Sequence, residues 1–186
     1  MVTASKLLTL DEFLELPERK PALEFEDGRI TQKVSPRGKH SALQYAIAEN
    51  FNRFARPDKL ARAFPELRVT FAGVSRVPDV SLYRWERIPL DERGRIADDF
   101  REPPNLVVEI VSPKQTVNTL IRRCLWYVAH GVQIALLVDP RDDSIVVFRP
   151  AELPGALRGD DRIPLDDILP GLDLSAADVF ASLRLD

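Results

Sequence analysis

Two carboxylates stand where core strands are expected. In "VPDVSLYR", Pro78 and Asp79 directly precede an apolar run, and in "NLVVEIV" Glu109 is flanked by Leu106, Val107, Val108, Ile110 and Val111. A Pro-Asp pair at the start of a strand has a purely structural explanation, since proline is tolerated at the first strand position and aspartate often belongs to the preceding turn. Glu109 is harder to explain that way, because an ionised carboxylate inside an apolar run is costly unless a cation or hydrogen bonds meet it. One resolution sets Glu109 on the polar face of its strand, paired with an arginine. The other puts both acids at the ends of neighbouring strands, where they could hold a divalent ion whose shell is completed by water and phosphate oxygens, as hard cations require. The second is the more economical, since it accounts for both acids together.

The rest of the chain must position these acids, and its composition bounds how. A chain of 186 residues is long enough for one well-buried domain and short for two, so a single domain over residues 1–186 is expected. Hydrophobic residues at 45% and charged ones at 30% give an ordinary globular composition, outside the disordered and fibrous classes. Such a chain should fold alone or as a homodimer or higher homo-oligomer. No apolar run approaches the roughly 20 residues needed to cross a bilayer, and "MVTASKLLTLDEF" meets an acidic pair before it forms a signal-peptide core. The expectation is a soluble, cytoplasmic protein without a membrane partner. Cys124 is the one cysteine, which excludes an internal disulfide and zinc held by cysteines; its place in a helical pattern between Leu120 and Trp126 argues for burial. The net charge of -3 gives no whole-protein attraction to nucleic acid, but Arg29, Lys33, Arg37, Lys39 and His40 cluster early while acids crowd the C-terminal third. Each of these basic residues taken singly fits a solvated surface; together they outline a local basic face.

The positioning elements are legible in outline. "TLDEFLELP" predicts a short helix with Thr9 as N-cap, Glu12 completing a capping box and Pro17 stopping it. "ALEFEDGRITQKVS" sets Asp27-Gly28 between two alternating runs, a strong hairpin signal. "HSALQYAIAENFNRFA" spaces Leu43, Ile47, Phe51 and Phe54 for a long amphipathic helix ended by Pro57. Strands are expected in "ELRVTFAG", "PDVSLYR" and "NLVVEIV", the last two separated by a charged segment, 85–104, that could be a mobile loop over a site. A helix over 117–130 closed by Gly131, then strands in "QIALLVDP" and "SIVVFRP" around a turn at 141–143, complete a strand-helix-strand unit. This order predicts an α/β fold with a mixed sheet and helices packed on it, capped by a final helix from Ser175.

Several blocks, in order along nearly the whole chain, resemble the Uma2 family of the PD-(D/E)XK restriction-endonuclease-like superfamily. "LEFEDGRI" is similar to that family's Y-E-L-I-D-G-E-L hairpin, "PDVSLY" to its P-D-V strand, and "PPNLVVEIVSP" to its P-P-D-L-V-V-E-V-L-S-P strand. "LWYVAHGVQIALLVDP" and "LPGLDLSAADVF" match the family's later blocks. The resemblance implies a central mixed β-sheet flanked by helices, with an N-terminal helix and hairpin, and with acids converging at one end of the sheet. Carried over by position, it makes Asp79 and Glu109 the metal ligands for Mg²⁺ or Mn²⁺, Glu24 a third acid near the metal, and His40 a phosphate contact or a cap on the long helix.

One departure matters. Val111 stands where the lysine two residues after the second acid would be, and the family's usual substitute, on the following helix four residues before a tyrosine, falls on Arg123. An arginine stabilises phosphate charge but cannot serve as the base for water. Lys114, five residues after Glu109, could reach back in its place. A relocated lysine, an arginine acting only through its charge, and a decayed site all remain open. The implied activity is metal-dependent hydrolysis of phosphodiesters in DNA, with Asp79, Glu109, Lys114, Arg123 and Glu24 as catalytic candidates and Lys33, Arg37, Lys39, His40 and Arg122 as nucleic-acid contacts. The alternative is a catalytically impaired nucleic-acid- or protein-binding module on the same fold.

Overall fold

A computed structural model describes residues 8–113 and 115–185. Helix α1 (Leu10–Leu14) is followed by β1 (Leu23–Glu26), β2 (Arg29–Gln32) and the long helix α2 (Gly38–Ala55). Then come β3 (Ala61–Pro65), β4 (Val69–Phe71), β5 (Val74–Arg76), β6 (Val80–Arg84), β7 (Leu106–Ile110), α3 (Val117–Ala129), β8 (Ile134–Asp139), β9 (Ser144–Phe148), β10 (Gly155–Arg158) and α4 (Ala176–Ala181). The strands form a six-stranded sheet ordered β10-β9-β8-β7-β6-β3 and a four-stranded sheet ordered β2-β1-β5-β4.

Local chemistry accounts for most of these boundaries. Thr9 and Glu12 form the predicted capping box, at 3.2 and 2.9 Å, and α1 docks Phe13 on Phe25 of β1. Asp27 and Gly28 have φ of 49° and 73°, the two left-handed residues that a tight hairpin turn between β1 and β2 requires. Ser175 caps α4 with a second capping box. In the large sheet only β7 and β8 run parallel, because α3 carries the chain back between them; every other neighbouring pair is antiparallel.

The period-two alternation of β6 and β7 divides their side chains between two cores. Val80, Leu82, Leu106, Val108 and Ile110 pack under α2 and α4, while Tyr83, Val107 and Val111 pack under α3 with Leu120, Cys124 and Tyr127. The same alternation assigns Asp79 and Glu109 to the α3 face.

Three strands lie outside the sequence expectation. The "ELRVTFAG" run ends early, at Phe71, because Ala72 and Gly73 (φ 49° and 76°) turn the chain back into β5. β3, which alternates alanines with Arg62 and Phe64, and β10, an exposed edge strand, have weak strand propensity of their own. The 85–104 segment also differs from the mobile loop expected over a site. It joins the ends of β6 and β7 remote from Asp79 and Glu109, and it is pinned by a bridge from Phe100 to Val69, by burial of Phe100, and by the Tyr83 hydroxyl donating to the Glu102 carbonyl at 2.8 Å. Among the described residues no helix is long and apolar enough to cross a membrane.

Candidate active site

The site is built where the β6–β7 ladder stops. Val80 pairs with Val108, Ser81 with Val107 and Leu82 with Leu106, so one further step sets Asp79 opposite Glu109. In place of another backbone bond, Asp79 Oδ2 accepts the Ile110 N–H at 2.7 Å. Both acids are buried, at 2% and 3% exposure.

Each acid meets cations from elements far away in sequence. Lys33, just after β2, donates Nζ to Asp79 Oδ1 at 2.5 Å, and His40, in the first turn of α2, places Nε2 3.1 Å from the same oxygen. The other ring nitrogen, Nδ1, lies 2.9 Å from Ser112 Oγ, so the tautomer donating to Asp79 can accept from the serine. Gln44, one turn further along α2, donates to the Asp79 carbonyl at 2.8 Å. On the other acid, Arg123 Nε and the Tyr127 hydroxyl both donate to Glu109 Oε1, at 2.7 and 2.9 Å. They stand one helical turn apart on α3, which aims both at the sheet. The rest of the Arg123 guanidinium grips Glu24 on both carboxylate oxygens, one at 2.6 Å, and the Val77 N–H adds a third bond to that glutamate. The Arg123–Glu24 contact closes β1 against α3.

These surroundings split the ionisation of the two acids. Burial pushes the Asp79 carboxyl up, but the hydrogen bond from His40 and the Lys33 ammonium outweigh it and hold the group below the ordinary range. Burial also raises Glu109; Arg123 pulls it down, yet with the Asp79 charge beside it the net direction is up. Burial opposes ionisation of Glu24 too, and Arg123 overcomes it to hold that acid low. For Lys33 the desolvation cost is outweighed by the charges of Asp79 and Glu109, so its proton is held more tightly than usual.

The structure brings together Asp79, Glu109, Glu24 and Arg123, and adds Lys33 and His40 to them. The side chains of Lys33 and His40 are only 9% and 6% exposed and pair with Asp79, so they stand inside the acid site rather than on an open basic face. Nor does His40 cap α2, whose N-cap is Arg37. Arg37, Lys39 and Arg122 are exposed. Lys114 lies outside the described residues. Sequence reasoning passed over Gln44, Ser112 and Tyr127. Tyr127, four residues after Arg123 on a helix, carried a signal that could have found it; Gln44 and Ser112 carried none.

Among the described residues no group of three or more His, Cys, Asp or Glu side chains is arranged to hold a metal ion. The acid side chains placed to hold an ion are those of Asp79 and Glu109, and Glu109 Oε2 has no hydrogen-bond partner among the described residues. Two carboxylates with water and phosphate oxygens are what Mg²⁺ commonly takes, so these residues fit that ion and do not form a closed zinc-type cage.

No curated protein matches the chain in sequence. A crystal structure described as that of a "putative nuclease belonging to DUF820" from Anabaena variabilis ATCC 29413 superimposes with a TM-score of 0.91 at 40% identity, covering 95% of this chain and 99% of that one. The fold is therefore the restriction-endonuclease-like one, with its mixed sheet and flanking helices. The Uma2 model, described as "Putative restriction endonuclease", matches residues 10–177, nearly the whole chain with both acids inside it, and the chain belongs to the Uma2 family.

Proposed function

We propose that this protein is a metal-dependent endonuclease hydrolysing phosphodiester bonds in DNA, with Asp79 and Glu109 holding Mg²⁺ or Mn²⁺. The observation that carries the reading is the meeting of these two acids at the end of the β6–β7 ladder, with a buried lysine on one and an arginine on the other. When bound, the ion would supply an acidified water and neutralise charge on the phosphate. The protein's own groups do the rest. Lys33, its proton held by Asp79, takes the place of the lysine missing after Glu109: it orients the nucleophile and stabilises charge on the phosphate oxygens. Arg123 fixes Glu109 and Glu24 in position and stays a permanent cation, never a base. His40 and Ile110 N–H hold the Asp79 carboxylate in one orientation. Incubated with supercoiled plasmid and Mn²⁺ or Mg²⁺, the protein should produce nicked and linear DNA. Chelation should abolish this, and Glu109→Gln should lose cleavage and calorimetric Mn²⁺ binding together. Cleavage indifferent to chelation, or surviving Glu109→Gln, rejects the assignment.

A second reading, a binding module that has lost the chemistry, is favoured by the way Arg123 and Tyr127 occupy Glu109 Oε1. It expects DNA binding without Mn²⁺ binding or cleavage.

A further inference from the structure

Behind the Glu24–Arg123 pair lies a cavity of about 430 Å³ that the chemistry above does not use. Glu24 and Arg123 form the wall it shares with the candidate site; Phe25 and Glu26 of β1, Thr31 of β2, Arg76 of β5, and Thr119, Arg122 and Trp126 of α3 line the remainder. Its three arginines are unequally paired within the protein. Arg123 is neutralised by Glu24 and Glu109. Arg76, 7% exposed, gives Nη2 to Glu26 at 2.6 Å, but its Nη1 is buried with no hydrogen-bond partner among the described residues. That nitrogen is shut away against the Trp126 and Tyr127 rings, over which the guanidinium rests, so Arg76 lends the cavity its charge rather than an open donor. Arg122 is exposed and makes no hydrogen bond or ion pair among the described residues. Both glutamates on the wall are already paired, so what remains to be satisfied is cationic, with two threonine hydroxyls beside it.

That chemistry fits an anion, and the aromatic lining argues against a base. Trp126 is already engaged by protein groups, with the Arg76 guanidinium 4.3 Å from its ring centroid and the His130 ring stacked on it at 4.4 Å. The contact with Trp126 fixes Arg76 in place before any ligand comes. Resting on the endonuclease reading, we infer that this cavity seats a non-scissile phosphate of the substrate strand, neighbouring the one attacked. Arg122 is its cationic grip, and Arg76 adds its charge. The guanidinium of Arg123, which touches both Glu24 and Glu109, puts the seat next to the candidate site.

Trp126 is a built-in reporter, and Trp85→Phe removes the only other indole. In that background, with chelator present so that cleavage plays no part, Trp126 emission is titrated with a short single-stranded oligodeoxynucleotide, with the same strand carrying one neutral methylphosphonate linkage at successive positions, and with inorganic phosphate. The strand should give a saturable change. Arg122→Ala, at an exposed position, should weaken it about tenfold and lower the log–log salt slope by about one. One linkage position should cost affinity when neutralised, and that cost should vanish in Arg122→Ala. A response to inorganic phosphate with none to the strand, equal affinity in Arg122→Ala, or indifference to every methylphosphonate overturns the assignment. The endonuclease reading stands or falls separately on metal-dependent nicking.

Discussion

Two regions of this molecule use the same ion pairs in opposite settings. At the acid end of β6 and β7, Lys33–Asp79, Arg123–Glu109 and Arg123–Glu24 are packed between sheet and helix, with side chains 2–16% exposed. Around β9, β10 and the segment before α4, Arg149–Asp167, Arg158–Asp142 and Arg162–Asp166 lie at 2.6–2.8 Å, with one or both partners well exposed. The distances are alike, so distance does not measure what a pair does. In water an ion pair is screened and loses side-chain entropy, and its net worth is small. In the buried network desolvation has already been suffered by every member, so deleting one leaves another charged and alone.

The largest expected effect tests that difference directly. Arg123→Ala strands Glu109 and Glu24 together without a cation and should cost about 3–5 kcal/mol in urea unfolding. Adding Glu109→Gln should restore part of that loss. A single-variant cost near zero would erase the distinction between the two regions.

Next comes Lys33→Met, which keeps much of the buried bulk and removes the charge. If Lys33 stabilises the reacting phosphate, cleavage should fall about 10²–10³-fold while the unfolding transition remains cooperative. A variant as active as the parent would return that role to Lys114.

Acid sensitivity sharpens the comparison further. Asp79 and Glu24 have folded pKa values below their unfolded ones, so they add stability that is present above the unfolded carboxylate range and is lost as pH falls through the folded values. Glu109, raised, has the opposite sign: the folded state holds its proton longer, and its contribution disappears as pH rises through its folded value. Stability measured against pH should lose part of its acid-side slope in Glu24→Gln and gain at neutral pH in Glu109→Gln. Unchanged profiles in both variants would mean that these groups titrate alike in the folded and unfolded chains.

The smallest effect belongs to the surface. Arg158→Ala should leave the unfolding midpoint within experimental scatter at moderate salt, since its partner Asp142 is already half-exposed.

What could be read from sequence followed the range of the interactions. The Asp27-Gly28 turn, both capping boxes, and the helices α2 and α3 are set by residues within a few positions of one another, and local patterns reveal them. Asp79 and Glu109 were conspicuous because a charge among valines and leucines is expensive. Their partners were legible only in part: the family pattern set Arg123 at the site, while nothing marked Lys33 as the partner of Asp79. Lys33 lies 46 residues from Asp79, and Arg123 lies 99 from Glu24, so only the folded sheet packing brings them together. A lysine beside Arg37 and Lys39 therefore looked like part of a solvated cluster. The Ala72-Gly73 turn was hidden for a different reason: alanine is an unusual residue for a left-handed position, so no turn signal marks the end of β4.

The hydrogen bond from Ile110 to Asp79 has an evolutionary consequence. Because the aspartate side chain terminates the strand pairing, selection for folding alone would preserve it. On the endonuclease reading, a lineage that abandoned catalysis would keep Pro78-Asp79 as a splint and Arg123 as the partner of Glu24, while Glu109, which terminates no ladder, could give way to a neutral residue. Among descendants of this fold, persistence of the first acid should therefore track structural integrity, and loss of Glu109 with Arg123 retained should mark retirement from chemistry.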